Sequence, residues 1–214
     1  MKLTRLLAPS LSALAAVALF SATPAFAENA VFNIDFEHNW AYDNSAVSEY
    51  YNGGTAADGS SNSANLGVSF VGVFGLSNDE LGPYFNNAPT PLGTAYVDAL
   101  ATTAYINVAA GVTNSLSFYY ASPTAVVGAI KAYSGLNGTG TLLGTFDLAA
   151  NGSAYDVWSK QTISFNGTAQ SFDLVGSAGT VGFDNISAVP EPSALALMLA
   201  GVVGLAGMRN RRRG

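Results

Sequence analysis

From Val31 onward the chain alternates. In Val31-Phe32-Asn33-Ile34-Asp35-Phe36, one face carries Phe32, Ile34 and Phe36, and the other carries Val31, Asn33 and Asp35. This is the two-residue period of a half-buried strand, with the phenylalanine face turned inward. Residues 66–74 return to a strand, with Val68 and Phe70 on one face. Further strands are predicted at 95–99, 105–108, 115–120, 125–133, 141–148, 155–165, 171–175 and 181–186. Leu116, Phe118 and Tyr120 share a face, and Trp158 and Ile163 are the expected core anchors of the 155–165 strand. Turns are expected at 111–114, at 134–140, at Asn151-Gly152 and at Asn166-Gly167, where Gly and Asn supply positive φ.

Two connections are long. Residues 45–65 run through Gly, Ser, Asn, Asp and Thr, the composition of irregular surface backbone. Residues 78–94 carry Pro83, Pro89, Pro91 and Gly93. No amphipathic helical period occurs between residues 28 and 188. Strands recur about every ten to twelve residues, which predicts an all-β fold, a jelly-roll-like β-sandwich.

The two ends break this pattern. Residues 1–27 hold Lys2 and Arg5, an apolar stretch at 11–20, and Ala25-Phe26-Ala27. That order reads as a signal peptide cut by signal peptidase after Ala27, guided by the small residues Ala25 and Ala27. The ectodomain is then 28–188, one domain by length. Residues 189–214 form the third segment: Pro190-Glu191-Pro192, an apolar stretch at about 193–208, and a basic tail at 209–214 with Arg209, Arg211, Arg212 and Arg213. As a helix, residues 192–208 span about 25 Å, just short of a hydrocarbon core of about 30 Å. Arginine snorkelling closes the gap. The sequence therefore predicts a transmembrane helix whose arginines anchor it on the cytoplasmic side, placing the ectodomain outside the inner membrane.

Charge sharpens the picture. The whole chain has net charge −6, but six of its eight basic residues lie in the end segments. The ectodomain keeps Lys131 and Lys160 against thirteen acids, a net −11. Such a domain repels phosphate, so nucleic acid is not an expected partner, whereas hard cations are compatible. There is no cysteine, which removes thiol chemistry and disulfides. His38 is the single histidine, so a zinc hydrolase site is excluded and any Ser-His-Asp triad must use it. No pair of acids is marked by spacing as a glycosidase pair, and no enzymatic activity is expected. The Asn-X-Ser/Thr matches at Asn137, Asn151, Asn166 and Asn185 read as turn chemistry.

The C-terminal order of tripeptide, apolar segment with Gly201, Gly204 and Gly207, and arginine tail resembles the PEP-CTERM sorting signal. The resemblance implies a Gram-negative bacterium and handling by an exosortase that recognises Pro190, Glu191 and Pro192. It implies transient anchoring in the inner membrane, removal of the helix, and delivery to the cell envelope or an exopolysaccharide matrix. Within the body, Tyr50-Tyr51-Asn52-Gly53-Gly54, Gly67-Val68-Ser69-Phe70 and Gly182-Phe183-Asp184-Asn185-Ile186 are similar to PEP-CTERM ectodomains of the jelly-roll kind. Together these imply a structural or adhesive protein of the biofilm matrix, with carbohydrate binding as the alternative.

Two residue groups carry candidate chemistry. Asp35 and Glu37 end the first strand, and Asp184 lies in the last. In carbohydrate-binding jelly rolls these strands adjoin and hold a structural calcium, so Asp35, Glu37 and Asp184 are its candidate ligands. Trp40, Tyr42, Tyr50 and Tyr51 flank the first long loop, where exposed aromatics would stack on sugar rings of an exopolysaccharide.

Overall fold

The computed structural model describes residues 30–41, 43, 45–77 and 85–188. The signal peptide, the sorting tail, Tyr42 and residues 78–84 lie outside the described residues. Nine strands follow in order: β1 (Phe32–Ile34), β2 (Val68–Val71), β3 (Phe74–Ser77), β4 (Gly93–Tyr96), β5 (Tyr105–Ala121), β6 (Val126–Tyr133), β7 (Leu142–Leu148), β8 (Ser159–Asp173) and β9 (Gly182–Ala188). Among the described residues the only helical pieces are the 3₁₀ turns Leu136–Gly138 and Val175–Ser177. Every strand pairing is antiparallel. The path runs β3-β4-β9-β5-β8-β6-β7, with β1 added on β9 and β2 on β5.

The all-β sandwich expected from the strand spacing is what forms, and two long strands build it. The first part of β5, at Tyr105 to Val108, lies between β2 and the end of β8. Its last part, at Ser117 to Ala121, lies between β9 and the start of β8. β8 likewise serves β5 throughout but reaches β6 only at its end, where Lys131, Ala132 and Tyr133 face Asp173, Phe172 and Ser171. One layer is therefore β3-β4-β9-β5-β8 and the other β2-β5-β8-β6-β7, with β5 and β8 passing through both.

Here two expectations need correction. Residues 111–114 and Asn166-Gly167 are not turns between strands. They are irregularities inside β5 and β8, where the register shifts between Asn107 and Val112 and again between Thr113 and Ser115. Gly111 (φ 80°), Asn114 (φ 68°) and Gly167 (φ 101°) take the left-handed backbone that such bulges require. A turn and a bulge draw on the same residues, so composition alone reads them alike.

Alternation places the core as expected. Phe32, Ile34, Phe36, Val68, Phe70, Leu116, Phe118, Tyr120 and Ile163 are all buried, and one cluster contains residues of both layers. Phe36 meets Phe70 and Phe118 meets Phe183, each pair with ring centroids 5.8 Å apart in edge geometry.

The 45–65 connection is irregular, but much of it is not on the surface. Val47, Tyr51 and Ala56 join the core. Its backbone also covers two sheet edges. Val47 N–H donates to Val73 O (3.0 Å) and Gly75 N–H of β3 to Ser45 O (2.8 Å), while Phe70 N–H of β2 donates to Ser48 O (2.8 Å). A long loop that pairs with bare strands protects them from pairing with other chains.

Candidate functional site

The last strand sets the first candidate site. Between Tyr119↔Asp184 and Ser117↔Ser187, β9 spends one residue more than β5, and Asn185 takes φ 47°. This bulge presents Asp184 to the loop before β4, where it is 0% exposed. Thr90 N–H donates to Asp184 Oδ2 (2.9 Å), and the Thr90 hydroxyl lies 2.9 and 2.8 Å from Asp184 Oδ1 and Oδ2. Asn185 N–H donates to Oδ1 (2.7 Å). The same Thr90 hydroxyl reaches Asp35 O (2.8 Å). Glu37 Oε1 accepts from Leu92 N–H (2.7 Å) and Gly93 N–H (3.3 Å), and Asp35 Oδ1 accepts from Glu37 N–H (3.2 Å).

Glu37 and Asp184 thus set their carboxylates on one loop, residues 90–93, whereas Asp35 meets it only through its backbone carbonyl. What holds them there is a clasp of hydrogen bonds joining the segment after β1, the loop before β4 and the bulge of β9. Burial pushes the Asp184 carboxyl up to about 7, and the charge of Glu37 adds to this against the donors on Thr90 and Asn185. Gly93 has no room for a side chain, since a Cβ would lie 2.1 Å from Phe36 O. Among the described residues, no three His, Cys, Asp or Glu side chains are grouped as a metal cage.

The aromatic expectation is corrected. Trp40, Tyr50 and Tyr51 are 4, 8 and 2% exposed, so they offer no face for a sugar. Trp40 lies flat over Gly75, where a Cβ would come within 2.1 Å of the indole, and its N–H donates to Phe36 O (3.0 Å). Tyr50 packs edge-on against both Trp40 and Tyr51. Burial raises the hydroxyl pKa of Tyr50 and, more strongly, that of Tyr51, with Asp58 adding at Tyr50 and Asp35 at both. The sequence marked these residues as loop aromatics, but the loop itself is folded into the core.

His38 packs against Trp40 and Tyr50 at 4.7 and 5.0 Å and meets Asp58 Oδ2 at 3.4 Å. Ser60 donates its N–H (2.8 Å) and its hydroxyl (2.5 Å) to the other oxygen, Asp58 Oδ1. The carboxylate stands between serine and histidine. In a nucleophilic triad the histidine faces the hydroxyl, so this trio lacks the required order.

Sequence reasoning missed a second site. A cavity of about 260 Å³ opens beside the start of β9, lined by Leu76, Phe85, Tyr96, Val97, Tyr155 and Val181 among others. Phe85 anchors it: the ring sits where a Cβ on Gly182 would lie 2.3 Å away, and it meets Tyr155 at 5.1 Å and Trp158 at 5.9 Å. Trp158 is half-buried rather than a core anchor, because its indole N–H donates outward to Asn86 O (3.0 Å). Asn87 adds a bond to Asp156 O (3.2 Å). The walls come from five separate stretches of chain, and no local pattern joins them.

The fold and these sites define an all-β domain without an assembled catalytic constellation among the described residues. Residues 188–213 match the PEP-CTERM protein-sorting motif, so the chain carries this signal and is an exported protein of the kind processed by exosortase, membrane-anchored by its C-terminal signal before processing. No curated protein matches the chain in sequence. Among solved structures, it is similar to a CBM35 from Paenibacillus barcinonensis (TM-score 0.36, 16% identity, covering 58% of this chain and 94% of that one). It is also similar to the carbohydrate binding module CBM6cm-2 from Cellvibrio mixtus lichenase 5A in complex with cellotriose (TM-score 0.36, 13% identity, covering 57% and 91%).

Proposed function

We propose that this is a non-enzymatic protein of the cell envelope or extracellular matrix of a Gram-negative bacterium, with a structural or adhesive role in a biofilm or exopolysaccharide. The carrying observation is the junction between domain and signal. The sorting motif begins at Ala188, which is also the last residue of β9 and is paired with Phe32. The signal is therefore attached to a strand inside the fold with no spacer, so whatever the signal is tethered to holds the whole domain close. Replacement of Pro190, Glu191 and Pro192 by alanine tests the reading. Uncleaved protein accumulating in the inner membrane supports it, and unchanged delivery overturns it.

The cavity favours a second reading, carbohydrate binding. Its rings at Phe85, Tyr96 and Tyr155 are of the kind that pack on the C–H faces of sugars, and the acidity of the domain suits a neutral glycan. Titration of the mature protein with neutral oligosaccharides, beside a Tyr155→Ala variant, separates the readings. Binding lost in the variant supports the second reading, and absence of binding leaves the structural role. A structural calcium is the finer form of this alternative. Glu37 and Asp184 accept from residues 90–93 and the Asp35 carbonyl adjoins them, and an ion there would displace the present donors on Thr90 and Leu92. A rise in melting temperature when calcium is added to chelator-stripped protein supports that site, and no rise removes it.

A further inference from the structure

We propose that the outer edge of β7 is an assembly surface, pairing antiparallel with β7 of a second copy of this chain. The sheet path ends at β3 on one side and at β7 on the other, with β2 as a third edge and β1, only three residues long, as a fourth. The fold covers two of these edges. Ser45 and Val47 bond along β3, and Ser48 receives Phe70 N–H from β2. Nothing comparable lies on β7. Its only backbone partner strand is β6, and among the described residues no loop backbone bonds to residues 142–148. A row of unpaired N–H and C=O groups is a template for another strand.

β7 also lacks the usual guards. Its sequence, Leu142-Leu143-Gly144-Thr145-Phe146-Asp147-Leu148, holds no Lys or Pro. The one charge, Asp147, is exposed but is drawn toward the paired side of the strand, since its Oδ1 accepts the N–H of Gly128 on β6 (2.7 Å). The same end of the sheet carries exposed apolar side chains at Val127, Leu136 and Leu142. Leu136 and Leu142 stand at one end of β7 and Val127 at the other, so exposed apolar side chains flank the bare edge along its length.

A second copy is the occupant because the strand is complementary to itself. An antiparallel pair with its two-fold axis at Thr145 sets Leu142 against Leu148, Gly144 against Phe146 and Leu143 against Asp147. No like charges face each other, although each ectodomain is strongly acidic. The result is one continuous sheet through a dimer. This inference is independent of the sorting and sugar-binding readings.

The test uses the mature protein recovered from the producing cells. Sedimentation at concentrations on the order of 10 µM should show a dimer. Thr145→Lys, which places two cations at the axis, should give a monomer with an unchanged melting temperature, because the Thr145 side chain is exposed. The chain has no cysteine, so Thr145→Cys supplies a single thiol that should form a disulfide dimer under mild oxidation, while Thr168→Cys on β8 should not. The Thr145→Cys crosslink also reads the interface should Thr145→Lys fail to fold. A monomer at all concentrations, a dimer indifferent to Thr145→Lys, or equal crosslinking at both thiols overturns the proposal.

Discussion

Asp184 ties the bulge of β9 to the loop before β4. Two backbone amides and a hydroxyl end on its carboxyl group, and no water reaches it. Its pKa in the fold is about 7, above the ordinary carboxylate value, so the fold prefers the protonated form. A raised carboxyl stabilises fully below its unfolded pKa, and that contribution is lost as pH rises through the folded value. Between pH 4 and 7, Asp184 should therefore withdraw roughly 2–4 kcal/mol of stability. Thermal unfolding at pH 5 and pH 8 should show the wild type losing stability, with Asp184→Asn flattening that difference. A slope identical in the variant would assign the pH dependence elsewhere. Asp184→Ala is expected to be worse than Asn at either pH. It strands the half-buried amides of Thr90 and Asn185, at up to about 1–3 kcal/mol each, which denaturant unfolding will measure. The sequence brought Asp35, Glu37 and Asp184 to attention as acids at the ends of paired strands, and the carboxylates of Glu37 and Asp184 meet the same loop while Asp35 reaches it only through its backbone. It gave no sign of Thr90, whose role depends on a loop of prolines folding back across β9.

At the scale of elements, β5 and β8 decide the architecture, and their bulges decide β5 and β8. Alternation found their halves, because side-chain period survives on either side of a bulge. It divided them at Gly111 and Asn166-Gly167, because positive φ is as good a mark of a turn as of a bulge. Space distinguishes the two glycines in the structure. A Cβ at Gly111 would lie 2.3 Å from Thr168 Cγ2 on the facing strand, whereas at Gly167 the nearest atom is Leu143 Cδ2 at 4.0 Å. Gly167→Ala should cost about 1 kcal/mol, from the left-handed backbone alone. Gly111→Ala should cost about 2–4 kcal/mol, because strand separation must also change. Equal losses in denaturant unfolding would mean that β8 yields freely at Thr168. The 45–65 loop shows the same limit of composition. Its residues are those of a surface loop, yet Tyr51 and Val47 are core and its amides and carbonyls close two sheet edges. What a loop touches is a long-range fact that local polarity does not carry.

The whole molecule joins a domain to an address at one residue. β1 enters and β9 leaves side by side, with Phe32 opposite Ala188, so the start and end of the folded body lie at one pole. The aromatic cavity lies at the other end of β9, where Val181 precedes Gly182, about 20 Å away along the strand. A domain held through Ala188 therefore directs that cavity away from its attachment. The junction also limits where the sorting signal can be cut. Ala188, Ser187 and Ile186 pair with β1, and Ser187 pairs again with Ser117 of β5. A protease needs an extended, unpaired stretch, and peeling off these residues would open the buried Ile34–Ile186 contact at the centre of the domain. Cleavage is thus expected on the C-terminal side of Ala188, leaving β9 whole. Mass spectrometry of the mature protein should find a C-terminus at residue 189 or beyond and short of the arginine tail, with Glu28 at the N-terminus. A C-terminus inside 182–188 would show that processing precedes folding. In that case the domain would have to close without the end of its central strand, and truncation at Asp184 should then leave the melting temperature unchanged.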